Sequence, residues 1–103
     1  MEENKKNELN IELSEDKADG IYSNLVLISH SPTDFVFDFI RVVPGMPKAK
    51  VHSRIVMGPQ HAKGFMFALN ENVANYENQF GEIKLHGQPH HPDNIDFKPS
   101  EIN

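Results

Sequence analysis

The 103 residues contain no cysteine. This removes a disulfide framework and any thiolate metal site, two common supports of a very short chain. No apolar run approaches the roughly 18 residues needed to cross a bilayer. The opening MEENKKN is charged where a secretory signal would be apolar. The expectation is a cytoplasmic chain without a membrane partner. Also missing are the phosphate-loop pattern, GxSxG and HExxH. Tryptophan is absent, so phenylalanine, present seven times, supplies most of the aromatic surface.

Hydrophobic residues at 38% and charged residues at 24% allow one folded domain with a modest core. Net charge is −5, unfavourable for a general attraction to nucleic acid. Its distribution says more. Residues 1–20 hold seven acids against three lysines, and residues 67–103 six acids against two lysines. Between them, residues 35–66 hold Arg41, Lys48, Lys50, Arg54 and Lys63 against Asp38 alone. The termini are acidic and the centre is basic.

Residues 1–7 read as a frayed N-terminus, 8–83 as the folded domain, and 84–103 as a loosely ordered tail rich in His and Pro. Alternation of Leu9, Ile11 and Leu13 with polar neighbours predicts a first strand. IYSNLVLIS, 21–29, predicts a second, apolar on both faces. HSPTD supplies turn chemistry, and DFVFDFIRVV, 34–43, a third strand with Phe35, Phe37 and Phe39 on one face. Pro44-Gly45 suits the centre of a type II turn. AKVHSRIVM, 49–57, predicts a fourth strand with Val51, Ser53, Ile55 and Met57 on one face. Short connections favour an antiparallel meander, because parallel pairs need long crossovers.

At Gly58-Pro59 the period changes. Pro59 suits a first helical position, with Gly58 as a tolerable cap. Ala62, Met66, Leu69, Val73, Tyr76 and Phe80 then form one apolar stripe, and Gly81 is a left-handed C-terminal cap. The predicted fold is therefore α+β, ββββα. His61 falls in the first helical turn, where the helix dipole disfavours its charged form. No nucleophile or orienting acid stands at a recognisable spacing, so His61 reads as a corner residue and no catalytic residue is assigned.

His86, His90 and His91 beside Asp93 carry metal-ligand chemistry. They lie in the tail without a scaffold to fix them, so neither a metal site nor a cofactor is assigned. Asp34 and Asp38 share a strand face, but paired carboxylates need a pocket. The excess of apolar surface is the more useful signal. One helix covers one face of a sheet, and Phe67 lies opposite the helical stripe. A second copy of the chain is the simplest cover, with Phe67, Val26, Ile28, Val36 and Ile40 among its contacts. The competing arrangement folds the N-terminal strand and the tail over the open face.

The residues Tyr22 and Asn24, HSPTDF (30–35), Asp38-Phe39, Pro47 with Ala49 to Val51, Ser53 to Ile55, Pro59, His61 to Lys63, and YENQFGEI (76–83) together resemble a small prokaryotic family. It is the family of domain of unknown function 3467. The likeness covers about three quarters of the chain. Gly58 departs from it where a Ser or Thr cap is expected, and so does the His-rich tail. The family implies boundaries and no activity. The first functional reading is a non-enzymatic homodimeric interaction or binding module, with itself and an unidentified protein as partners. The alternative is a single-stranded nucleic-acid-binding domain similar in plan to a Pur-alpha or Whirly unit. In that reading Arg41, Lys50, Arg54 and Lys63 meet the backbone while aromatics stack on bases.

Overall fold

The computed structural model describes residues 8–86. The chain divides into two compact units, Met1–Pro59 and Gln60–Asn103. A one-turn helix α1 (Glu15–Ala18) opens the first, followed by β1 (Leu25–His30), β2 (Phe35–Arg41) and β3 (Lys50–Met57). The helix α2 (Pro59–Phe80) follows.

The sheet is a three-stranded antiparallel meander in the order β1-β2-β3. Its three strands are the second, third and fourth of the sequence reading, each starting later than expected, with β1 reaching one residue further to His30. The expected fourth partner is corrected: residues 8–14 join no ladder. Leu9, Ile11 and Leu13 are 71% to 85% exposed. Alternation specifies which face a strand would bury, but a strand also needs an open edge to pair with, and none reaches this segment.

Turn chemistry fixes the meander. Between β1 and β2, the Ser31 N–H donates to the Asp34 carbonyl at 2.9 Å. The Ser31 hydroxyl accepts from the N–H groups of Thr33 and Asp34, both at 3.2 Å. Between β2 and β3, the Met46 N–H donates to the Val43 carbonyl at 3.2 Å, and Gly45 has φ of 86°. That is the type II geometry expected for Pro44-Gly45, and only glycine holds that φ without strain.

Asn24 extends the β1–β2 ladder with its side chain. Its amide donates to the Val42 carbonyl at 3.0 Å, and its amide oxygen accepts from the Val42 N–H at 2.7 Å. Its own N–H donates to the Ile40 carbonyl, which also accepts from the Ser23 hydroxyl. A side-chain amide here does the work of one more strand residue.

The β2–β3 ladder is interrupted. Phe39 faces Ser53 but Ile40 faces Val51, so His52 is skipped in a β-bulge. Successive residues of β2 point to opposite faces, so Val51 and Ser53 lie on opposite faces too. This corrects the expectation that they share one. The central strand β2 carries the buried residues of the sheet, Phe37, Asp38 and Ile40.

In the second unit, α2 runs for 22 residues from Pro59, as its period predicts. The helix ends where Gly81, at φ of 102°, donates its N–H to the Glu77 carbonyl at 2.9 Å. The Glu77 carboxylate then accepts from the Ile83 N–H at 3.0 Å. Glu77 thus holds both the last turn and the residue past the cap.

Asn24→Ala removes the two side-chain bonds to Val42, both near solvent. The expected cost is about 1 kcal/mol of unfolding free energy, read as a lower urea midpoint at unchanged slope. An unaltered midpoint would show that the clamp contributes nothing.

Candidate functional site

The first feature built by the sheet is an ion pair. Asp38 sits mid-strand in FVFDFI, and the register puts Arg54 directly across from it. Arg54 donates from Nε to Oδ1 at 2.6 Å and from Nη2 to Oδ2 at 2.9 Å. Asp38 is 1% exposed, whereas the Arg54 side chain remains half in water. The hydrogen bonds from Arg54 and its charge hold the Asp38 carboxyl below its ordinary value, against the opposing effect of burial. The same contacts raise Arg54. Asp38 therefore holds two of the five Arg54 N–H groups.

This is the relation that the sequence reading missed. It paired Asp38 with Asp34 and Arg54 with the lysines. An acid in the middle of an apolar strand needs a cation across from it, and Arg54 is the mid-strand cation of β3. That signal was available.

The second feature lies past the bulge. Arg41 and Lys50 are partners at the end of the β2–β3 ladder. Together with Lys48, His52, Val43 and Met46 they line a cavity of about 190 Å³. Among the described residues, no carboxylate lines it. The guanidinium of Arg41 stands 5.7 Å from the centroid of the Tyr22 ring, a cation–π contact that fixes one wall. The cavity is basic, partly apolar and within one unit.

Of the four cations expected to meet nucleic acid, the structure thus brings together Arg41 and Lys50, adds Lys48 and His52, and pairs Arg54 with Asp38. Lys63 lies on α2, in the other unit. His61 is exposed in the first turn of α2. His90, His91 and Asp93 lie outside the described residues. Among the described residues, no group of three or more His, Asp or Glu is placed to hold a metal ion. No helix among them is long and apolar enough to cross a membrane.

The third feature is apolar. Along α2, Met66, Leu69, Val73, Tyr76 and Phe80 are 36% to 66% exposed, while Ala62 is buried. Rings of Tyr76 and Phe80 lie 4.9 Å apart within the stripe. On the sheet, Val26, Ile28, Val51, Ile55 and Val56 are exposed. Of the expected dimer contacts, Phe67, Val26 and Ile28 are exposed and Val36 is half-buried. Ile40 is 5% exposed and belongs to the core.

The family model described as a protein of unknown function, DUF3467, matches residues 1–85. The chain belongs to this family. No curated protein and no solved structure matches it. Several of the residues that carried the DUF3467 resemblance now have structural work: Asn24 clamps a strand, Ser31 and Asp34 close a turn, Asp38 pairs with Arg54, and Glu77 and Gly81 end the helix.

Arg54→Met would leave the Asp38 carboxylate buried without its cation. The expected loss at neutral pH is about 2–3 kcal/mol, below the fully buried case because Arg54 is half solvated. A depressed folded value means that the pair's stability is present above the ordinary Asp value of about 3.9 and is lost as pH falls below it. In the variant the lone carboxyl rises instead, so its penalty shrinks as acid protonates it. Urea midpoints between pH 3 and 7 check this; parallel profiles for the two proteins would contradict it.

Proposed function

We propose that this DUF3467 chain is a small non-enzymatic interaction module that works as a homodimer. The observation that supports it most is the exposed apolar stripe of α2, five large side chains each at least a third in water. Removing apolar surface from water is worth roughly 2.5 kcal/mol per 100 Å², before the cost of association. Five such side chains from each copy are enough to decide an equilibrium in the micromolar range. The exposed residues of the sheet, Val26 and Ile28, offer further contact.

Sedimentation equilibrium of the full chain between about 1 and 100 µM, the range that a binding free energy near −8 kcal/mol implies, checks the proposal. Twice the chain mass is expected at the upper end. A single-chain mass throughout would refute the homodimer and leave the stripe to a different partner.

The basic cavity supports a second reading, a site for the phosphate backbone of single-stranded nucleic acid. Arg41, Lys48, Lys50 and His52 present cationic and donor groups together, and Tyr22 stands beside them as a ring for stacking. The acidic termini oppose it. Under this reading a fluorescent 12-mer of single-stranded DNA binds with steep salt dependence, and Lys50→Glu weakens it at least tenfold. Equal binding by Lys50→Glu, or none by the intact chain, rules the cavity out as that site.

A further inference from the structure

The stripe of α2 has a spacing narrower than an ordinary core-facing helix requires. Ala62, Met66, Leu69, Val73, Tyr76 and Phe80 follow one another by four, three, four, three and four residues. That is the a/d repeat of a helix seam, all six falling within about 40° of one line at 3.6 residues per turn. Ala62 is already buried, so the seam open to a partner begins at Met66.

We propose that α2 pairs with α2 of a second copy, antiparallel, through Met66, Leu69, Val73 and Tyr76. This rests on the homodimer reading and specifies its interface. Two properties of the helix select the direction. Antiparallel pairing sets a positions against d positions: Leu69 of one copy meets Val73 of the other, and Met66 meets Tyr76. Each layer then sets a larger side chain against a smaller one. Parallel pairing would stack Tyr76 on Tyr76 and Val73 on Val73, one layer overfilled and the next underfilled.

The flanking charges agree. Lys63, Asn70 and Glu77 occupy one flank of the seam, each directly after a d position. In an antiparallel pair this flank faces its own copy reversed, so Lys63 meets Glu77 twice and Asn70 meets Asn70. A parallel pair would set the flank against Phe65, Asn72 and Gln79 and form no ion pair. Glu77 keeps one carboxylate oxygen on the Ile83 N–H and has acceptor capacity left for a lysine.

Distances between spin labels test the arrangement. The chain has no cysteine, so a single introduced cysteine labels one site. Gly64→Cys, Glu71→Cys and Asn78→Cys all lie on the side away from the seam. The antiparallel pair centres on Glu71, so the label distance is shortest there. At the other two positions the labels gain about 21 Å of axial separation, at 1.5 Å per residue. Three equal distances would mean a parallel pair and overturn the proposal. A minimum at any other position would do the same.

Variants give an independent reading by sedimentation, with helicity checked by circular dichroism. Leu69→Glu should dissociate the dimer, whereas Phe67→Glu, opposite the seam, should not. Lys63→Glu should raise the dissociation constant about tenfold, two pairs each worth a factor of a few. Lys63→Glu/Glu77→Lys should recover most of that relative to Glu77→Lys alone. Within one helix these positions are too far apart to interact, so recovery arises only between copies. A dimer dissociated by Phe67→Glu but not by Leu69→Glu would overturn the seam and leave the homodimer standing. A chain monomeric from the start would overturn both.

Discussion

A three-stranded sheet has two faces, a 22-residue helix has an apolar stripe, and each must be covered by something apolar. Among the described residues, only Phe37, Ile40 and Ala62 are fully buried apolar side chains. A small domain ordinarily balances the entropy of ordering its chain against many more such side chains than three. The shortage is not one of composition, because the apolar residues are present and patterned. It is one of burial. The stripe of α2, Val26 and Ile28 of β1, and Ile55 and Val56 of β3 all stand exposed.

Polar design within the sheet works in the opposite sense and is complete. Asp38 is withdrawn from water, and both its oxygens are held by Arg54. No buried side-chain nitrogen or oxygen among the described residues lacks a partner. A buried pair of this kind adds little net stability compared with an apolar pair, but it makes every other register costly. Shifting β3 by one residue would move Arg54 to the other face and strand Asp38. The pair therefore fixes the register next to the bulge at Phe39/Ile40. Beyond the bulge Arg41 and Lys50 turn up at one mouth, with Lys48 and His52, and no acid among the described residues lines it. The same ladder separates the cation paired with Asp38 from the cations that line the cavity.

How much of this was legible depended on whether a residue's signal was local. Pro59 to Gly81 was legible in full, because the change of period, the proline at the start and the glycine at the end all act within a turn. The Pro44-Gly45 turn was legible for the same reason. The segment 8–14 was not, since its alternation is a local signal for a strand while the ladder it needs is not local. The faces of β3 were misread because a bulge leaves no mark on the apolar pattern. Asn24 offered no periodic signal at all, and its role is visible only when Val42 lies beside it. Membership in DUF3467 carries no chemistry, so the candidate surfaces are visible only in the structure.

The central claim is that the apolar stripe of α2 is covered by a second copy and not left in water. Solvent paramagnetic relaxation of the methyl groups of Met66, Leu69 and Val73, followed across protein concentration, tests it directly. The account predicts methyls protected from the paramagnetic agent at high concentration that become accessible on dilution, with the helix itself intact. Methyls equally accessible at every concentration would contradict it.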